Sequence, residues 1–174
     1  MDRLPCQTFT MTELYIDADA CPVRDEIYRV AGRLNLIVHL VSNGSRPFRP
    51  PGLPNVRMIT VDAGADIADD WIADRITDAD VCVTSDIPLA SRCLAKAARA
   101  LAPSGHVWTP DNIGTALAGR EVARYMREIG AITSGPAPMA KAARSKFLSA
   151  LDALVTAAMR PKPARPVAKP CPPG

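Results

Sequence analysis

The sequence predicts a three-layer α/β/α sandwich built on a five-stranded, mainly parallel sheet. Three observations carry that prediction. Short runs of strand length are apolar on both faces, helix-periodic segments alternate with them, and an acidic or hydroxyl residue directly follows most of the runs. Strands buried on both sides belong to parallel sheets, because crossover helices cover both faces.

In order, 14–18 reads as the first strand and closes on Asp17-Ala18-Asp19. A helix over 22–34 follows, with Pro22 in its first turn, where the missing N–H is not needed. The apolar run 36–42 is a second strand, ended by the turn signal Asn43-Gly44. Residues 45–54 form a proline-rich loop, and 56–61 a third strand ending at Asp62. A helix over 66–76 places Ile67, Ala68, Trp71, Ile72 and Ile76 on one arc, with Asp66, Asp69, Asp70 and Asp74 opposite. Strand 80–84 precedes Ser85-Asp86, and a helix is expected over 88–101. A short fifth strand at 106–109 leads to helices over 112–129 and 138–159. Residues 11–160 thus read as a single domain. A flexible leader (1–10) precedes it, and a disordered, basic, proline-rich tail (161–174) follows.

Composition narrows the function classes. With 174 residues, 48% of them hydrophobic, the chain can bury a sizeable core. Its net charge of +3 is a property of the tail. From Arg160 onward there are four basic residues and no acidic one, which leaves 17 basic against 18 acidic for the rest. The domain is therefore near neutral, and indiscriminate nucleic-acid binding by the whole surface is not expected. Five cysteines without a C-x-x-C pair suggest neither a disulfide framework nor a zinc site. Cys21 and Cys82 read as packed thiols, and His39 as a sheet-face histidine. No segment resembles a secretory signal or a membrane span, so a cytoplasmic protein without membrane association is expected.

Ligands of open α/β sheets bind beyond the carboxyl ends of the strands. The polar residues expected there are Asp17, Asp19, Ser42, Asn43, Asp62, Ser85, Asp86, Thr109, Asp111 and Asn112. In an extended chain Asp17 and Asp19 would share one side of the pleat. Two carboxylates so close repel unless a cation lies between them or one takes up a proton. A hard cation, Mg²⁺ or Mn²⁺, answers that need with oxygen ligands. Candidate ligands are Asp17, Asp19 and Asp86, completed by Asp69 or Asp70 from the acidic arc of the 66–76 helix. Ser85, Asn43 and Arg46 are candidates for orienting a phosphate, with Asp111 and Asn112 further along the same edge. The loop Ser45-Arg46-Pro47-Phe48-Arg49 combines guanidinium groups with a ring, a combination suited to phosphate and base.

The segments Tyr15-Ile16-Asp17-Ala18-Asp19-Ala20-Cys21-Pro22-Val23, Ala68-Asp69-Asp70-Trp71-Ile72, Val83-Thr84-Ser85-Asp86-Ile87-Pro88-Leu89-Ala90 and Thr109-Pro110-Asp111-Asn112-Ile113 together resemble the YaiI/YqxD family of bacterial proteins. That family has no established function, and its fold is similar to the PIN-like nuclease domain. PIN-like enzymes hold Mg²⁺ or Mn²⁺ with acidic residues at the carboxyl edge of a parallel sheet and cleave RNA or DNA. The resemblance matches Asp17 to the acid after the first strand and Asp86 to the acid after the fourth. Asp69 or Asp70 matches the acid on the intervening helix. The Asp19-Ala20-Cys21-Pro22 continuation departs from ordinary PIN domains.

The leading expectation is a metal-dependent phosphodiesterase acting on single-stranded RNA or another nucleic acid, with Asp17, Asp19 and Asp86 at its centre. Two alternatives stand beside it. One is a phosphatase of the haloacid-dehalogenase type, whose D-x-D strand end would use Asp17 as nucleophile and Asp19 as acid/base, with Lys96 in support. The other is a non-catalytic RNA- or protein-binding module using the 45–54 loop and Lys141, Arg144 and Lys146.

Overall fold

The structure is a computed structural model that describes residues 11–44, 49, 51–64, 66–130 and 140–160. The expected leader, the basic tail and Arg46 lie outside the described residues. The strands are β1 (Glu13–Asp17), β2 (Ile37–Ser42), β3 (Val56–Thr60), β4 (Val81–Val83), β5 (Arg99–Leu101) and β6 (Val107–Trp108). The helices are α1 (Arg24–Leu34), α2 (Ile67–Arg75), α3 (Ile87–Ala95), α4 (Pro110–Glu128) and α5 (Lys141–Met159). The strands form one sheet in the order β3-β2-β1-β4-β5-β6. All neighbours pair in parallel except β6, which runs antiparallel to β5.

Alternation along the central strands sorts the core into two layers. Leu14, Ile16, Val38, Leu40, Val81 and Val83 face α1 and α5, meeting Ile27, Val30, Phe147, Leu151 and Val155. Tyr15, Val41 and Cys82 face the other way, onto Ala68 and Ile72 of α2 and Leu89 and Cys93 of α3. Helix α4 joins this second layer through Ile113, which packs with Ala90 and Ala100. The α/β/α sandwich is therefore as predicted. His39 also sits as predicted, buried on the sheet face, 2.7 Å from the Glu13 carboxylate and stacked on Tyr15.

The sheet has six strands rather than five. The helix expected over 88–101 stops at Ala95, Ala97 takes a left-handed φ of 60°, and Arg99–Leu101 becomes β5. Residues 94–102 are rich in alanine and favour helix by intrinsic propensity. That preference amounts to tenths of a kcal/mol per residue, roughly, and tertiary pairing overrides it. Here the exposed edge of β4 takes Arg99, Ala100 and Leu101 as ladder partners of Val81, Cys82 and Val83.

The second correction concerns β6. Because it is antiparallel, its carboxyl end lies toward the amino ends of the other strands. Thr109, Asp111 and Asn112 are thereby carried away from the edge where they were expected. Thr109 caps α4 there, with Asn112 as its reciprocal partner. Among the described residues, no helix is long and apolar enough to cross a membrane.

Candidate active site

Strand β1 leaves the sheet at Asp17 and turns at once into a single 3-10 turn, Ala18–Ala20. The pleat alternation ends there, so Asp17 and Asp19 do not share one side. Asp17 keeps the parity of Tyr15 and faces the layer of α2 and α3. Its Oδ2 accepts from the Thr84 hydroxyl at 3.3 Å. Thr84 in turn accepts from the Asp86 amide at 2.9 Å, so one buried hydroxyl links the ends of β1 and β4.

Asp19 swings to the end of β2. Its two oxygens accept from the Ser42 hydroxyl (2.6 Å) and the Asn43 amide (3.0 Å). Both are committed to tying the exits of two strands together, which makes Asp19 a brace for the site and places Asn43 in that brace. The phosphatase alternative would use Asp19 as acid/base, and here each of its oxygens already accepts a hydrogen bond. Lys96 is also occupied elsewhere, donating to the Asp74 carbonyl at 3.0 Å.

Asp86 is the N-cap of α3, a frequent place for aspartate. One oxygen accepts from the Leu89 amide at 3.0 Å, and the other meets Arg120 of α4 at 3.1 Å. Ser85 beside it is exposed at the tip of the β4–α3 turn. Helix α4 starts near the opposite edge of the sheet and climbs back. Ten residues of helix advance about 15 Å, which delivers Arg120 to this edge.

Asp69 and Asp70 stand in different surroundings on the helix surface. Asp70 is exposed and pairs with Arg92 of α3 at 2.8 Å. Asp69 is half-buried and faces inward. Burial pushes its carboxyl up to about 7, with further upward pressure from the charges of Asp86, Asp17 and Asp66, opposed by Arg92. Asp17 is raised as well, by burial first and by Asp19 and Asp86, against the lowering effect of its bonds to Thr84 and the Asp19 amide. The charge of Asp86 raises both Asp17 and Asp69, and that of Asp17 raises Asp69, so acids from three separate elements lie within electrostatic reach of one another. Among the described residues, Asp17 and Asp69 take part in no ion pair.

Asp111 and Asn112 belong to a different place. Asp111 lines a shallow groove with Ser104, His106, Trp108, Thr115 and Lys146. Asn112 is used up locally, accepting from the Thr109 amide and donating to the Val107 carbonyl. Arg144, expected on a free basic face, is clamped to Glu26 and to the Pro22 carbonyl. Cys21 is buried, and burial pushes its thiol up to about 11, which disfavours the thiolate at neutral pH. The residues the sequence did not disclose are Arg92 and Arg120, whose partners lie far along the chain.

The raised carboxyl of Asp69 has a sign that can be tested. Its folded form favours the proton more than the unfolded chain does. The stability this contributes is present below the ordinary value of 3.8 and lost as pH rises through about 7. Asp69→Asn should therefore stabilise the metal-free protein at pH 8 but not at pH 4. Without screening the displacement would carry about 4 kcal/mol, and solvent around this half-buried group reduces the expected gain to about 1–2 kcal/mol. Urea midpoints in EDTA at the two pH values check it, and an equal shift at both would contradict the assignment.

Whether these residues suit a divalent ion can be judged from the donor set. Among the described residues, no three Asp, Glu, His or Cys side chains stand close enough to enclose an ion. A full protein cage is therefore not what the chain offers. Mg²⁺ commonly binds through one or two carboxylates, keeping waters and adding substrate phosphate oxygens. The oxygen-only pair Asp17 and Asp69 fits that mode.

Fold and site together define an α/β sandwich with acidic side chains gathered where its two central strands end. Comparison with known proteins gives the family. The family model described as "Uncharacterized BCR, YaiI/YqxD family" matches residues 15–157, and the chain belongs to that family. It is 52% identical over 153 residues to a UPF0178 protein of Paramagnetospirillum magneticum, covering 88% of this chain and all of that one. A UPF0178 protein of Caulobacter sp. is 53% identical over 150 residues, 86% of this chain and 98% of the relative. Another, of Rhodospirillum rubrum, is 49% identical over 148 residues, 85% and 98% respectively. No solved structure matches the chain.

Proposed function

We propose that this protein is a metal-dependent phosphodiesterase acting on single-stranded RNA, with Asp17 and Asp69 as the residues that hold Mg²⁺ or Mn²⁺. The observation that carries the reading is the state of those two side chains. Both are half-buried, both have carboxyls raised by burial and by neighbouring acids, and neither has an ion-pair partner among the described residues. Burial makes their charged forms costly, and a divalent cation offsets that cost.

The remaining acids take supporting parts. Asp19 holds the β1 and β2 exits in register, and Asp86 fixes the start of α3 and the position of Arg120. Thr84 limits the rotation of Asp17 by donating to it. When bound, the ion supplies Lewis acidity at a phosphate oxygen and a more acidic water. The residues of the chain would present that phosphate beside two half-buried carboxylates, one of them tied to Thr84.

Titration calorimetry with Mn²⁺, paired with cleavage of a labelled single-stranded RNA, tests the reading. Saturable Mn²⁺ binding and cleavage that stops in EDTA are expected. Absence of Mn²⁺ binding at millimolar concentration, or cleavage indifferent to EDTA, would overturn it.

A further inference from the structure

Two arginines border the acidic neighbourhood, and each is tethered by one carboxylate that the metal reading does not use. Arg120 comes from α4 and is held by Asp86 through one guanidinium nitrogen at 3.1 Å. Arg92 comes from α3 and is held by Asp70 at 2.8 Å. Each arginine side chain remains 43% exposed. A guanidinium carries five N–H donors in a planar fork, so a single tether leaves most of the fork available. Asp86 is itself fixed by the Leu89 amide, which fixes the direction in which Arg120 is presented. Asp70, which holds Arg92, is the residue next to Asp69 on α2, so Arg92 stands against the helix that carries Asp69.

We infer that Arg120 and Arg92 are the contacts for backbone phosphates of a single-stranded nucleic acid, with Asp86 and Asp70 serving as their holders. Exposed ion pairs of this kind contribute little to stability, which is a weak reason for the chain to build two of them at one edge. The chemistry of the edge gives a stronger one. Unpaired carboxylates alone repel a polyanion, and a site for a phosphodiester needs fixed cations beside them. Arginine suits this because its fork matches two phosphate oxygens at once, and a carboxylate on its far side orients the plane without consuming it. The placement is asymmetric in a useful way. Both arginines stand on helices of the α2–α4 layer, so a strand would cross the carboxyl edge on that side of Asp17.

This inference rests on the phosphodiester reading above, and its test is arranged to separate the two. The probe is a fluorescein-labelled decauridylate, and the readout is anisotropy in EDTA, where no divalent ion contributes. Wild-type protein is expected to bind it, with affinity falling as salt rises. Arg120→Gln and Arg92→Gln should each weaken binding about tenfold. The double variant should also flatten the logarithmic salt dependence by about 1.4, since each phosphate contact on a single strand accounts for about 0.7. Arg120→Lys should restore part of the affinity, because it keeps the charge and loses the fork. Mn²⁺ affinity, measured by calorimetry on Arg120→Gln, should stay within about twofold of the parent, because Arg120 pairs with Asp86 and not with Asp17 or Asp69.

A wild-type protein that does not bind the probe in EDTA would overturn the inference, even if it binds Mn²⁺. Variants that bind the probe as the parent does, while keeping their thermal midpoints, would overturn it as well. An Arg120→Gln variant that loses Mn²⁺ affinity and probe affinity together would reduce that arginine to a structural role, and so also count against it. Retained Mn²⁺ binding with lost probe binding is the supporting result.

Discussion

Asp17→Asn should lower Mn²⁺-dependent RNA cleavage by about a thousandfold or more, while its thermal midpoint stays at or slightly above that of the parent. The two halves of the expectation have one cause. Asparagine keeps the shape of aspartate, and its side-chain oxygen can still accept from Thr84 and the Asp19 amide. What it removes is a negative charge that burial, Asp19 and Asp86 all disfavour. Losing a disfavoured charge does not weaken the fold. A metal ligand without charge loses most of its hold on a hard cation, and a thousandfold corresponds to about 4 kcal/mol of transition-state stabilisation. Cleavage rates and calorimetric melting of the same preparation check both halves. Undiminished cleavage would remove Asp17 from the site, and a collapsed midpoint would make it a structural residue.

Phe147→Ala is expected to do the reverse. Phe147 is fully buried under the face of the sheet turned away from the site, among Leu14, Ile16, Val83 and Leu101. Truncating a buried phenylalanine costs about 3–5 kcal/mol, a large share of a stability of about 5–15 kcal/mol. The neighbouring turn is packed closely against the backbone of α5. Gly105, at φ 83°, already brings the β5–β6 turn so close that a Cβ there would stand 2.9 Å from the Phe147 amide. A fall of about 10 °C in the thermal midpoint is expected, with cleavage per folded molecule nearly unchanged. A loss of less than about 1 kcal/mol would show that α5 is not the keystone of this layer.

The two variants separate what is legible in the chain from what is not. Phe147 lies on a helix that the sequence places over 138–159, and the packing of α5 under the sheet decides its burial. Asp17 was visible because a polar pair at the end of an apolar run is locally anomalous. Its partner was only half visible. The sequence narrowed the helical acid to Asp69 or Asp70, and neighbouring positions on a helix point about 100° apart, so the packing of α2 on α3 had to choose. Asp19 was misread for a local reason, since the period-two argument holds only while the strand lasts, and the chain turns 3-10 after Asp17. Asp111 and Asn112 were misplaced for a distant one, the antiparallel entry of β6.

From its residues alone this chain settled that it would form a sandwich of helices around a mainly parallel sheet, with acids where the central strands end. Apolar runs and helical periods are local patterns, and each can be satisfied only by burial on a particular face. Tertiary structure alone decided that Arg120 and Arg92 reach the acidic edge, that Asp70 and Asp86 are engaged with them, and that Asp17 and Asp69 take part in no ion pair among the described residues. Those pairings join residues on different helices and strands, and no periodicity along the chain encodes which charges meet when separate elements are packed together.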